Sequence, residues 1–253
     1  MYVKKIPSRI SCGSTSCCTY PSGCGAITGV NMSDVIHDRA TFNWDDMNSA
    51  TCDVDQIRIR YREVGTSAYS TKTMGSPVGN NAPCLNTSKR VLNLSASTLY
   101  EYNFKIWYQD GTVVTWHANG SFTTADACPN VGNLTVSTPL TTRAQFDWDD
   151  SNGPYSFARI KMRVDSISNP TGSDWSNVGG FGTFYPTFTK NKNGLTPGES
   201  YRAQAKTWCD PAGGPYKSYS WTSLIFWTQP TVIRLEGGSA IANLDVYPNP
   251  SRD

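Results

Sequence analysis

One block of this 253-residue chain occurs twice, and that limits the fold more than any other feature. Phe42-Asn43-Trp44-Asp45-Asp46-Met47-Asn48 returns 104 positions later as Phe146-Asp147-Trp148-Asp149-Asp150-Ser151-Asn152. Cys24 and Cys128 share that offset, and each opens its copy. Arg58-Ile59-Arg60-Tyr61-Arg62 returns as Arg159-Ile160-Lys161-Met162-Arg163. Leu94-Ser95, Tyr100 and Lys105-Ile106-Trp107 return as Leu195-Thr196, Tyr201 and Lys206-Thr207-Trp208. Phe122-Thr123-Thr124 and Phe226-Trp227-Thr228 close the two copies. A register kept through five blocks predicts two domains built on one plan, rather than one large domain.

Within each copy the pattern has period two. Val54, Ile57, Ile59 and Tyr61 are interleaved with Asp55, Arg58, Arg60 and Arg62, and Tyr100, Tyr102, Phe104, Ile106 and Tyr108 with Glu101, Asn103, Lys105 and Trp107. Such alternation marks antiparallel strands with one face in a core. Breaks at Gly65-Thr66-Ser67, Gly75-Ser76-Pro77, Asp110-Gly111 and Thr196-Pro197-Gly198 have turn composition. With 13 Tyr and 8 Trp against 5 Met, composition also favours strand over helix. About seven strands in about 100 residues predict a two-sheet sandwich, so the fold class is all-β with two tandem antiparallel β-sandwiches. The formal net charge of +2 offers no general attraction for nucleic acid. No apolar run approaches the roughly 18 residues of a membrane span.

Each copy resembles a fibronectin type III (immunoglobulin-like) domain, especially those of secreted Bacteroidota proteins. The resemblance is carried by Trp44 and Trp148 on the second strand and by the Tyr-x-Arg-like third strands that follow. It continues in Leu195-Thr196-Pro197-Gly198-Glu199-Ser200-Tyr201, whose last residue stands where that family places its tyrosine corner. The first copy keeps Leu94 and Tyr100 around a looser Ser95-Ala96-Ser97-Thr98-Leu99. The domains are expected at 24–125 and 126–229. Only Ala125-Asp126-Ala127 lies between Thr124 and Cys128, and three residues reach at most about 10 Å, so an end-to-end arrangement is expected.

The eight cysteines show no spacing suited to zinc, and Cys17-Cys18 is a vicinal pair. Disulfides, and hence an oxidising extracytoplasmic setting, are the better reading. The resemblance implies a Cys128–Cys209 bridge, since related bacterial domains carry cysteines at both places. Tyr108 occupies the equivalent of Cys209 in the first copy. Cys52 and Cys84, without counterparts in the second, are predicted to pair with each other. Cys12, Cys17, Cys18 and Cys24 then form a cluster whose pairing is open. Residues 1–23 read as a cysteine-rich cap or the end of a preceding module. The N-terminus lacks the apolar stretch of a signal peptide, so the signal is expected to have been removed, or the chain to be part of something longer.

Residues 230–243 read as a linker. The segment 244–253 is similar to the opening of the C-terminal sorting domain of the Bacteroidota type IX secretion system, through Val246, Tyr247, Pro248, Asn249 and Pro250. That resemblance implies the secretion machinery as a partner, a truncated sorting domain, and a secreted or cell-surface location.

The sequence holds little that points to catalysis, and no catalytic residue, cofactor or metal is expected. Asp45, Asp46, Asp147, Asp149 and Asp150 could offer oxygen ligands to calcium, but adjacent aspartates equally suit a turn that caps its own backbone. As a glycosidase pair they would lack a cleft. The two histidines, His37 and His117, both fall in the first copy and form no persuasive triad order. Gly179-Gly180-Phe181-Gly182 lacks the lysine and helix of a phosphate loop. Trp44 and Trp148 are core residues. Trp107 and Trp208 are expected on the outer face of a sheet, as a ligand face for surface glycans or a protein partner, or else packed against basic side chains such as Arg60 and Lys161. Trp116, Trp221 and Trp227 are left undecided by the pattern. Asp165-Ser166-Ile167 resembles the Bacteroidota O-glycosylation sequence at Ser166. The leading expectation is a non-catalytic spacer, adhesin or self-assembling filament subunit. The alternatives are the accessory region of a secreted hydrolase whose catalytic domain lies upstream, or a carbohydrate-binding module.

Overall fold

A computed structural model describes residues 24–75, 84–166 and 171–232. The chain divides into two compact units between Ala125 and Asp126. Among the described residues the first unit holds β1 (Asn31–Ile36), β2 (Arg39–Asn43), β3 (Val54–Glu63), β4 (Ser70–Gly75), β5 (Ser88–Leu92), β6 (Leu99–Tyr108) and β7 (Val113–Thr123). They form two antiparallel sheets, ordered β1-β2-β5 and β4-β3-β6-β7. The second unit repeats this with β8 (Gly132–Leu140), β9 (Arg143–Asp149), β10 (Phe157–Val164), β11 (Ser176–Asn177), β12 (Thr183–Phe184), β13 (Thr189–Asn193), β14 (Ser200–Trp208) and β15 (Ile225–Thr228). Its sheets run β13-β9-β8 and β11-β10-β14-β15, with β12 also on β10. A three-stranded sheet over a larger one, four-stranded in the first unit and five-stranded with β12 in the second, in the same order along the shared strands, is the tandem sandwich the repeat predicts and has the fibronectin type III-like order the resemblance implies.

The alternation seen in the sequence is what fills the space between the sheets. Phe42, Ile57, Ile59, Phe104 and Ile106 are fully buried in the first unit, and Trp44 lies among them. Phe42 meets Tyr102, Phe104 and Phe122 edge to face, with centroids 5.0, 6.0 and 5.7 Å away. In the second unit β14 offers only Ala203 and Ala205 where β6 has Tyr102 and Phe104. The missing volume comes from β15, where Trp227 packs edge-on to Phe146 at 5.4 Å and stacks on Tyr201. Trp148 is buried as expected, and its indole N–H donates to the Tyr155 hydroxyl at 2.7 Å. Burial pushes that hydroxyl up to about 12, outweighing the opposite effect of the bond it accepts from Trp148.

The tyrosine corner is present in both copies. Thr196 donates its backbone N–H to the Tyr201 hydroxyl at 2.9 Å, and Ser95 does the same to Tyr100 at 2.8 Å. The looser first copy adds an acceptor, since the Tyr100 hydroxyl also donates to Glu63 at 3.0 Å. Each corner gives a loop N–H an acceptor and ties the loop to the strand that follows it.

Disulfide pairing follows expectation in one unit and departs from it in the other. Cys128 is bonded to Cys209. In the first unit Cys24 is bonded to Cys52, which corrects the predicted Cys52–Cys84 pair. Cys52 sits in the β2–β3 connection, where the strandless segment entering β1 brings Cys24 to a Cα separation of 5.5 Å. Cys84 instead points into the core beside β3, its N–H bonded to Val54, and remains a buried thiol. Cys12, Cys17 and Cys18, like the 244–253 motif, lie outside the described residues.

Candidate functional site

In both units the outer face of the larger sheet carries a row of cations set among aromatic rings. On β3 the residues Arg58, Arg60 and Arg62 point away from the core, opposite Lys105, Asn103 and Glu101 of β6. On β10, Arg159, Lys161 and Arg163 stand opposite Lys206, Gln204 and Arg202 of β14. Arg58, Lys105 and Trp107 therefore have their repeat counterparts in Arg159, Lys206 and Trp208. Like charges directly across a strand pair weaken a sheet. Here the indole offsets the repulsion. Arg58 and Lys105 lie 5.2 and 4.6 Å from the Trp107 ring centre, and Arg159 lies 4.7 Å from that of Trp208.

The rows differ beyond this shared triple. Arg60 is held between Trp116 at 3.9 Å and Tyr69 at 4.5 Å, while Arg62 pairs with Glu101. In the second unit Lys161 lies over Trp221 at 4.1 Å and Trp175 at 4.5 Å. Arg202 takes Asp165 and covers Phe226 at 5.1 Å. Burial lowers the affinity of Lys161 for its proton. Lys206 is lowered as well, by burial first and then by Lys217 and Lys161. The alternative expected for Trp107 and Trp208, packing against basic side chains, is met by other partners than Arg60 and Lys161: Trp107 takes Arg58 and Lys105, and Trp208 takes Arg159. Arg60 lies instead on Trp116, and Lys161 on Trp175 and Trp221.

Trp208 departs from its expected exposure. Its strand parity does aim it outward, since Thr207 beside it is buried inward-facing and Trp208 lies outside the main core cluster. Yet the tryptophan is only 8% exposed. Phe157, opposite it on β10, stacks on its indole at 5.1 Å and 5°. Phe181 and Phe184, from the segment after β11, then cover Phe157 at 4.6 and 5.6 Å. Gly182 allows this close approach, because a Cβ there would run into the Phe157 ring. A second apolar layer thus lies on the outside of the sheet. Its outermost members, Phe181 and Phe184, are 50% and 51% exposed. The pattern of β14 gave the direction of Trp208, whereas its cover comes from a glycine-rich loop with no strand periodicity. The aromatic rings exposed at this place are thus those of Phe181 and Phe184, with Trp208 beneath them.

The aspartate loops act on their own backbone. Asp46 accepts the Asn48 N–H at 2.9 Å, and Asp149 accepts the Ser151 N–H at 3.1 Å. Those bonds hold both carboxyls below the usual carboxylate range; for Asp149 the larger contribution comes from the Asn133 side chain. Asp45 accepts from the Thr28 hydroxyl at 2.7 Å, Asp147 from Gln145, and Asp150 from Tyr185. Among the described residues no group of three or more His, Cys, Asp or Glu could hold a metal ion. His117 accepts the Ile27 N–H at 2.9 Å, so it ties the entering segment to β7. Ser166 is exposed in the turn after β10.

No family model matches the chain, and no curated protein matches it. Among solved structures it is similar to the FN1–FN3 domains of chicken CNTN1, with a TM-score of 0.48 and 12% identity over 81% of this chain and 67% of that one. It is also similar to a two fibronectin type-III domain segment from chicken tenascin, with a TM-score of 0.34 and 13% identity over 82% of this chain and all of the other. The fold assignment itself rests on the strand order and register given above.

Proposed function

We propose that the chain supplies non-catalytic modules of a secreted or cell-surface bacterial protein, in which they serve adhesion or assembly. The observation that carries this reading is the duplication of a disulfide-bridged sandwich whose outer sheet face is built from cations and aromatic rings. Disulfides persist in oxidising compartments, which supports an extracytoplasmic location. Among the described residues no helix is long and apolar enough to cross a membrane. Rigid sheet faces rich in Trp, Tyr and Arg suit recognition of a partner surface, and sites of that kind, more than the fold, decide function. In this reading the 244–253 segment is the start of a sorting domain addressed to the type IX secretion machinery, and Ser166 is an O-glycan acceptor on an exposed turn.

Fractionation of the source cells with an antibody to the chain tests the proposal. Surface or medium material with both bridges oxidised, and added glycan mass on the peptide holding Ser166, is the expected result. A reduced cytoplasmic pool would overturn the compartment and with it the secretion route.

A further inference from the structure

The outer face of the β10–β14 pair holds more positive charge than its own partners neutralise. Arg159 stands opposite Lys206, and Arg163 opposite Arg202. Lys217 joins the row through a bridge to Trp208 and sits close enough to Lys206 to repel it. Asp165 compensates Arg202, and Asp174 interacts with Arg163. Arg159, Lys161, Lys206 and Lys217 enter no ion pair among the described residues. The whole chain is formally only +2, so this concentration is local. Beside it lie the exposed rings of Phe181 and Phe184, near parallel at 19° and 6.1 Å apart. Arg159 joins the two features, with its guanidinium 5.2 Å from the Phe181 ring centre and its Nε–H bonded to the Phe181 carbonyl.

We propose that this face binds an acidic polysaccharide, with carboxylate or sulfate groups on Lys161, Lys206 and Lys217 and sugar rings against Phe181 and Phe184. An extended polyanion answers the like charges that face each other across the strands, and a pyranose presents C–H faces that stack on flat rings. The choice of a glycan over a nucleic acid rests on the extracellular reading above, which the Cys128–Cys209 bridge supports. The first unit serves as an internal control. It has a cation pair across its strands in Arg58 and Lys105, but Phe42, Phe104 and Phe122 are all buried, so no exposed phenylalanine rings lie beside that pair.

The test uses the full chain, titrated with polygalacturonate and dextran sulfate at low and high salt. Neutral dextran and a single-stranded oligonucleotide are the comparison ligands. Both acidic polysaccharides are expected to bind, and binding should weaken with salt. Lys161→Gln/Lys206→Gln/Lys217→Gln should weaken it about tenfold or more, as expected for the loss of three half-buried charge contacts. Phe181→Ala/Phe184→Ala should weaken polysaccharide binding further than oligonucleotide binding, and Arg58→Gln/Lys105→Gln on the first unit should change neither. Near-ultraviolet circular dichroism checks that each variant is folded, and a variant that fails is replaced by the matching single substitutions. No binding, equal binding of neutral dextran, or an unchanged lysine variant would overturn the proposal. Tighter binding of the oligonucleotide than of both polysaccharides would assign the face to nucleic acid and overturn it too. The readout is on purified protein, so its failure would leave the location inferred from cell fractionation untouched.

Discussion

Removing the Cys128–Cys209 bridge by Cys128→Ser/Cys209→Ser should be the most damaging change available to the second unit. The bridge closes a segment of 81 residues, almost the whole sandwich. Loop-closure entropy for that length gives about 4.5 kcal/mol as an upper value. The Cys24–Cys52 bridge closes only 28 residues, which gives about 3.6 kcal/mol. A domain of this size has about 5–15 kcal/mol in total, so either loss is a large share. The structural setting widens the contrast. Cys24 belongs to a strandless segment that is also held by the Tyr108 hydroxyl on Gly25 and by His117 on Ile27, so part of its order survives without the bridge. Calorimetry of the full chain and both double variants would measure this. Unit-specific NMR signals would assign the transitions. The second unit should melt roughly 15–20 °C lower without its bridge, and the first unit should shift less in its own variant. A shift corresponding to under about 1 kcal/mol in the second unit, or a larger loss in the first, would refute the loop-closure reasoning.

Tyr201→Phe should cost about 1–3 kcal/mol in urea unfolding, because the Thr196 N–H loses its acceptor; a neutral effect would mean water replaces the corner. Lowering the pH should selectively weaken the first unit, which holds both histidines. Burial sets His37 and His117 below the ordinary value of 6.5, so the stability they contribute is present above that value and is lost as pH falls through their folded values. Melts at pH 7.5 and 5 read this, and equal shifts in both units would contradict it. Gly182→Ala should cost about 1–3 kcal/mol by forcing Phe157 aside, and should make Trp208 accessible to a fluorescence quencher. Cys84 is buried, and burial raises its thiol, so it should react with iodoacetamide only after unfolding; rapid labelling of the native protein would disprove its core position.

The inward half of each strand was legible because burial imposes a period of two. Ile57, Ile59, Tyr61, Tyr102, Phe104 and Ile106 all lie where alternation puts them. The repeat supplied the rest of the frame, including a corner in the looser copy. The outer faces were legible only in part. Alternation says that Arg159 and Trp208 leave the core, and says nothing of a loop that returns to cover them. Phe181 and Phe184 gave a weak signal as two phenylalanines in a stretch rich in glycine and without periodicity. The bridge in the first unit is hidden in the sequence because Cys24 directly follows Cys12, Cys17 and Cys18 along the chain. Its repeat position alone does not show which loop it meets. Cys84 had no counterpart to compare, and a buried thiol and a bridged one look alike in sequence.

The Cys84 thiol also sets a race. Three cysteines of the first unit are within the described residues, and until its core closes, Cys84 can compete with Cys24 for Cys52, or with Cys52 for Cys24. Correct product then depends on sandwich formation sequestering Cys84 before an oxidant captures it. Yield in an oxidising compartment is therefore governed by relative speeds, and Cys84→Ala should raise the fraction of correctly bridged chains even where it lowers the stability of the finished unit.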